Sequence, residues 1–218
     1  MDPQRVVVIG GHGKVALLLA PLLVAAGDEV TAVYRNPANT PDVSAHGARG
    51  VVADLETLGV EEIAALLAGH DAVVWSAGAG GGNPARTKAV DRDAAIRSMD
   101  AAVSAGVQRY VMVSYFGSRL DHGTPAHSGF YAYAEAKAAA DEYLRGTALD
   151  WTILGPSGLT LDPPTGKIET SEQGATSGRV SRADVAAVIA AVLREDATIG
   201  RTIRFNNGPT PIADAIAA

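Results

Sequence analysis

Four consecutive β-branched residues, Val6 to Ile9, open the chain, and an apolar pattern of helical period takes over at Lys14. A run that is apolar at every position reads as a strand buried on both faces, so this opening predicts strand, tight turn and helix. The alternation then repeats. EVTAVY predicts a second strand ending near Tyr34, GARGVVAD a third ending at Asp54, Val60 to Ala68 a helix, and DAVVW a fourth strand. Lys88 to Gly106 predicts a long helix with Val90, Ile96, Met99 and Val103 on its apolar stripe. QRYVMVS predicts strand five with Ser114 at its end, FYAYAEAKAAADEYL a helix, and LDWTILGPS strand six. Lys167 to Thr170 reads as a short strand, Ser181 caps a helix over RADVAAVIAAVLRE, and TIRFNN forms a last strand before a short tail. Such alternation predicts an α/β fold: one Rossmann-type doubly wound parallel sheet with helices on both faces. Residues 1–218 are expected to form one domain, with excursions near 115–130 and 155–180.

The first turn carries the first chemistry. Gly11, Gly13 and Ala16 fit G-x-G-x-x-A, while Gly10, Gly13 and Ala16 fit G-x-x-G-x-x-A, two registers of one phosphate-binding turn. Residues without a Cβ let backbone N–H groups close around a pyrophosphate, and the helix N-terminus adds partial positive charge there. The second strand ends at Arg35, where NAD-binding units usually carry an acid for the ribose 2′-hydroxyl. Arg35 suits a 2′-phosphate, with no carboxylate expected nearby to oppose it, so NADP(H) is favoured over NAD(H). Asp54 and Leu55 fall at the sheet edge where adenine would lie, and Ala77 and Gly78 at the switch point beside strand one.

Composition narrows the classes. Cysteine is absent, which removes disulfides and thiol nucleophiles, and the net charge of −6 argues against a general nucleic-acid or anionic-membrane surface. The longest apolar run, Val15 to Ala26, is too short for a membrane span, and no signal peptide precedes the first strand, so a cytoplasmic location is expected. His122 and His127 sit in the 115–130 loop at a spacing that matches no metal motif, and are expected to face solvent or substrate. Neither a nucleophile elbow nor a P-loop is present.

Tyr133 and Lys137 lie four apart on one face of the helix after strand five, with Ser114 across from them. A tyrosine titrates near pH 10 in model peptides, and a neighbouring ammonium lowers that by favouring the phenolate. The exit of strand six at Pro156 supplies a backbone wall for nicotinamide or substrate.

Together, GGHGKVA, the Arg35 strand end, VVWSAGAG, YVMVS, YAEAK, LDWTILGPSGLT and SRADVAAVIAAVL resemble the short-chain dehydrogenase/reductase superfamily over nearly the whole chain. The nearest likeness is to its atypical NAD(P)H-binding branch of NmrA-like and biliverdin reductase B-like proteins. This resemblance implies that Gly10, Gly11, His12, Gly13, Lys14 and Val15 cradle the pyrophosphate, Arg35 the 2′-phosphate, Asp54 and Leu55 the adenine, and Ala77 and Gly78 the ribose side. It further implies that Tyr133 is the general acid or base, that Lys137 holds the nicotinamide ribose and depresses the tyrosine pKa, and that Ser114 hydrogen-bonds a substrate carbonyl. Two departures stand out. Gly155 occupies a position where many relatives carry an Arg, and the spacing from Ser114 to Tyr133 is longer than usual. The expected activity is NADP(H)-dependent hydride transfer to or from a small carbonyl, quinone or flavin-like acceptor by a monomer or homodimer. A non-catalytic NADP(H)-binding redox sensor is the alternative, and an epimerase or dehydratase is disfavoured because the substrate region looks too small for a nucleotide-sugar.

Overall fold

The computed structural model describes residues 2–80 and 82–217. Its strands are β1 (Arg5–Ile9), β2 (Glu29–Tyr34), β3 (Arg49–Val52), β4 (Ala72–Trp75), β5 (Arg109–Val113), β6 (Asp150–Pro156), β7 (Gly158–Thr160), β8 (Lys167–Thr170), β9 (Arg179–Ser181), β10 (Arg201–Asn207) and β11 (Thr210–Pro211). The α-helices are α1 (Lys14–Ala25), α2 (Thr40–Ala45), α3 (Val60–Leu67), α4 (Pro84–Thr87), α5 (Ala95–Ala105), α6 (Tyr131–Arg145), α7 (Arg182–Val192) and α8 (Ile212–Ala217). The main sheet runs β11-β8-β10-β6-β5-β4-β1-β2-β3, and β7 pairs with β9 in a separate ribbon. From β3 to β10 every pairing is parallel, whereas β8 runs antiparallel to β10 and β11 to β8. This is the Rossmann-type doubly wound sheet, with the order reversing where β1 lies between β2 and β4.

Strand pleating sorts the core into two layers. Val6 and Val8 pack with Leu19, Leu23, Val185 and Ile189 on the face covered by α1 and α7, while Val7 and Ile9 pack with Ile63, Leu67, Met99 and Leu144 on the face covered by α3, α5 and α6. Both faces of β1 are therefore dry, which is why its residues show no polar alternation.

Several boundaries differ from the sequence pattern. Strand β3 stops at Val52 and not at Asp54, although Ala53 N–H still donates to the Tyr34 carbonyl at 2.9 Å. The long helix expected from Lys88 begins at Pro84, where the Asn83 side chain accepts from Arg86 N–H. Lys88–Ala94 is wound as a π-helix, which turns Asp91 inward and buries it. Ribbon strands β7 and β9 are too short for a period to register, and the tail carries α8, whose Ile212, Ala215 and Ile216 are buried. Among the described residues no helix is long and apolar enough to cross a membrane.

One buried charge ties the two ends of the chain together. Asp28, fully enclosed at the start of β2, is met by Arg194 Nη2 at 2.7 Å from each carboxylate oxygen and by Gln4 N–H at 2.9 Å. Removing one member of such a pair leaves the other charge buried without compensation. Arg194→Ala is expected to cost on the order of 3 kcal/mol in denaturant unfolding, with Arg194→Lys retaining part of it.

Candidate active site

The glycine turn is built differently from the expected cradle. Gly10 N–H and Gly11 N–H both donate to the Val33 carbonyl, at 3.0 and 2.9 Å, and Gly13 N–H donates back to Gly10 at 2.8 Å. Those amides anchor the turn to β2 and are not free for an anion. The unpaired donors are one step further on. Lys14, Val15 and Ala16 begin α1 after an N-cap, Gly13, that makes no side-chain cap, so their N–H groups emerge at the positive helix end. Gly10 is required for shape: its φ is +84°, and a Cβ there would lie 2.5 Å from Ala77 Cα.

Two cavities open at the carboxyl ends of the strands. The first, of about 310 Å³, is lined by Gly10, His12, Gly13, Arg35, Asp54, Leu55, Ala77 and Gly78 among the residues expected at a dinucleotide site. Gly11 is buried in the turn, and Lys14 and Val15 lie in the first turn of α1, outside this lining. Gly81, in the glycine-rich exit of β4, lies outside the described residues. Arg35 is not alone, contrary to expectation: Glu56 Oε1 accepts from Arg35 Nη1 and from Arg86 Nε, each at 3.0 Å. Glu56 follows Asp54 in the loop after β3, where a strand ending two residues early leaves room for it to turn back. His12 Nε2 meets Asp42 Oδ2 on α2 at 2.8 Å.

The second cavity, about 520 Å³, is lined by Ser114, Tyr115, Phe116, Gly117, Phe130, Tyr133, Pro156, Ser157, Gly158, Leu159 and Ser177, with no charged side chain. Tyr115, Phe130 and Tyr133 form a triangle of rings with centroids 5.1 to 5.6 Å apart. His122, expected to face solvent or substrate, is instead enclosed and latched to Glu135 on α6, with Nε2 and Oε1 2.8 Å apart.

The Tyr-Lys-Ser set is assembled, but not with the expected polarity. Lys137 is fully buried and lines neither cavity; its Nζ donates to the Val113 carbonyl at 2.8 Å and lies 3.2 Å from Met112 Sδ. Burial pushes its pKa down, against the pull of Asp141 and Asp91. Tyr133 is not shifted toward the phenolate. Burial foremost, then the charges of Asp91, Asp141 and Tyr115, push its pKa far above the usual tyrosine value. Ser114 Oγ is committed to Asp141 Oδ2 at 2.5 Å and does not stand free for a carbonyl.

The pattern missed two acids that matter here. Asp91 is buried with Oδ2 accepting from Ala79 N–H at 3.1 Å and Oδ1 unpartnered among the described residues, 3.2 Å from where a Gly78 Cβ would be. Its pKa is raised by burial, which outweighs Ala79, Lys137 and Arg86. Asp141 lies one helical turn beyond Lys137, so Tyr133, Lys137 and Asp141 form one i, i+4, i+8 row. An acid on that row, within a helix otherwise rich in alanine, was the available signal. Gly155 is explained by its neighbour. Arg204 lies opposite it in the β6–β10 register, and a Cβ at Gly155 would stand 3.0 Å from Arg204 Cγ and 3.2 Å from the Tyr115 carbonyl.

A family model described as NAD(P)H-binding matches residues 10–196. The chain is 34% identical to the Bacillus subtilis protein named uncharacterized sugar epimerase YhfK, covering 98% of this chain and 99% of the relative. A Bacillus halodurans structure named as an NAD-dependent epimerase/dehydratase superposes with a TM-score of 0.89 at 35% identity, covering 98% of both chains. The oxidoreductase ylbE from Lactococcus lactis superposes with a TM-score of 0.86 at 29% identity, covering 97% of this chain and 94% of that one.

The turn geometry can be tested without a ligand. Gly10→Ala is expected to lose on the order of 3 kcal/mol in denaturant unfolding, because it combines a left-handed φ with a backbone clash. Gly80→Ala, at a similar φ of +80° but in open space, should lose about 1 kcal/mol.

Proposed function

The chain belongs to the NAD(P)H-binding family, and from that premise we propose an NADP(H)-dependent reductase of the atypical short-chain dehydrogenase/reductase type, acting on small neutral carbonyl or quinone acceptors. One observation carries this reading: Tyr133, whose hydroxyl makes no hydrogen bond among the described residues, lines an aromatic-walled cavity with no charged side chain in its lining. The fit of a dinucleotide rests on the open N–H donors of Lys14, Val15 and Ala16 at the helix end and on the Gly10 turn packed against Ala77. Asp54 and Leu55 would bound the adenine, Ala77 and Gly78 the riboses, and Pro156 the nicotinamide side. Bound NADPH would supply the hydride. Tyr133, kept as a neutral phenol, donates its proton to the acceptor oxygen as that oxygen gains charge, while Lys137, buried outside both cavities, holds the Val113 carbonyl at the end of β5.

An epimerase of nucleotide-sugars needs cations for a diphosphate, and the second cavity offers none. The epimerase names of the relatives therefore do not transfer on this geometry. The sensor reading has one observation in its favour: Lys137 and Ser114 are both bonded within the protein, to Val113 and Asp141. Turnover decides between them.

NADP(H) preference rests on Arg35 with Arg86 beside it, two guanidinium groups sharing the single carboxylate of Glu56. Arg35→Ala is expected to weaken NADPH binding about tenfold and NADH binding less than twofold, by fluorescence titration. Equal losses would remove the 2′-phosphate role.

Tyr133→Phe should lower kcat for NADPH oxidation by a neutral quinone or ketone by at least about 100-fold while leaving NADPH affinity unchanged. A raised pKa keeps the phenol protonated as pH rises, so wild-type kcat/KM should stay flat from about pH 6 to about pH 9. A fall beginning near neutral pH would mean that the tyrosine titrates low after all.

A further inference from the structure

Asp141 is a buried carboxylate that the proposed reaction does not use. Its Oδ2 takes the hydroxyl protons of two serines at once, Ser114 Oγ at 2.5 Å and Ser118 Oγ at 2.5 Å. The other oxygen, Oδ1, is buried with no hydrogen-bond partner among the described residues. Positive charge stands around it. Lys137 lies one turn earlier on α6, and Arg204 reaches past Gly155 to put Nη2 at 3.4 Å from the Ser118 carbonyl.

A serine hydroxyl carries one proton and two lone pairs. The Ser114 proton is spent on Asp141 in a bond of charge-assisted length, and its backbone N–H is spent on the Leu154 carbonyl at 2.7 Å. Only lone pairs remain for the second cavity, which Ser114 lines. Turning the hydroxyl toward a substrate carbonyl would strip a strong bond from a carboxylate already short of partners, and leaving a buried charged group unsatisfied costs more than one ordinary hydrogen bond returns. Tyr133, two turns from Asp141 on the same helix, has the complementary polarity: a hydroxyl with no hydrogen-bond partner among the described residues, kept protonated by its surroundings.

We propose that Asp141 is a positioning residue that fixes Ser114 as a hydrogen-bond acceptor, so that the cavity selects a flat neutral ring bearing an N–H or O–H donor beside a carbonyl that accepts a hydrogen bond from Tyr133. This rests on the assignment of the second cavity to the acceptor molecule. A plain ketone or quinone presents acceptors only, and leaves Ser114 facing a lone pair with a lone pair. A ring with a donor next to its carbonyl satisfies Ser114 and Tyr133 together.

Isatin and N-methylisatin are a matched pair of planar diones, differing in whether the ring nitrogen carries a proton. Calorimetric titration of the full chain, with and without saturating NADP+, should find isatin bound about tenfold more tightly than N-methylisatin. The ratio should fall below about threefold in Ser114→Ala, and likewise in Asp141→Ala or Asp141→Asn, whichever folds. Because it is a ratio of two affinities on one preparation, a loss of folded fraction does not move it. Equal affinities in the wild type, binding of neither dione, or a ratio unchanged in every Asp141 variant would overturn the proposal. A parallel NADPH titration keeps the two readings apart. Failure to bind NADPH would overturn the reductase, whereas the dione ratio on nucleotide-free protein still decides the role of Asp141.

Discussion

The site depends first on one carbonyl. Val33, near the end of β2, accepts from Gly10 N–H and Gly11 N–H together, which bends the chain off β1 and sets the axis of α1. With those two amides spent, the donors left for an anion are the ones at the helix end, where unsatisfied N–H groups and the helix dipole act in the same direction. The bend also fixes the neighbouring strand exit. A glycine at φ +84° lets β4 pass within contact of the turn at Ala77, and that closeness makes the switch point between β1 and β4 a narrow slot.

At the other end of the crevice, electrostatics set the chemistry. Three buried ionisable groups, Asp91, Lys137 and Asp141, lie around the tyrosine, with one cation against two anions. An ammonium facing a phenol would ordinarily stabilise the phenolate, but Lys137 is spent on the Val113 carbonyl, and burial foremost, then Asp91, Asp141 and Tyr115, raise the Tyr133 pKa. The result is a phenol held in its protonated form. The π-helical turn at Lys88–Ala94 is part of this balance, since it is the element that brings Asp91 under Ala79.

Much of the fold was legible because parallel sheets announce themselves: β1, β2, β4, β5 and β6 are short runs of β-branched and apolar residues. The place of β4 on the far side of β1 was legible from the doubly wound pattern, and the shared face of Tyr133 and Lys137 from their spacing of four. What could not be read was the pairing of charges. Glu56 turns back on Arg35 through a loop whose path no period encodes, and Asp141 reaches Ser114 and Ser118 across 27 and 23 residues of sequence. Periodicity places a residue on a face; it does not say which donor that face will meet.

Gly155 illustrates the same limit from the side of an absence. Read alone, a glycine where the resemblance leads one to expect an arginine looks like a contact removed. In the register of β6 with β10 it is a space made for Arg204, whose side chain crosses the strand at the point where a Cβ would stand. Arg204 is held below the usual arginine range by burial and by Arg145 and Arg119, with Asp141 opposing them. A guanidinium crowded by two others is kept in place by what it neutralises, and the buried carboxylate of Asp141 is the group on that side that needs neutralising. The Arg204 guanidinium thus reaches the Ser118 carbonyl, outside the lining of the second cavity. That arrangement leaves the lining of the second cavity without a charged side chain, while Asp141 behind Ser114 is charged.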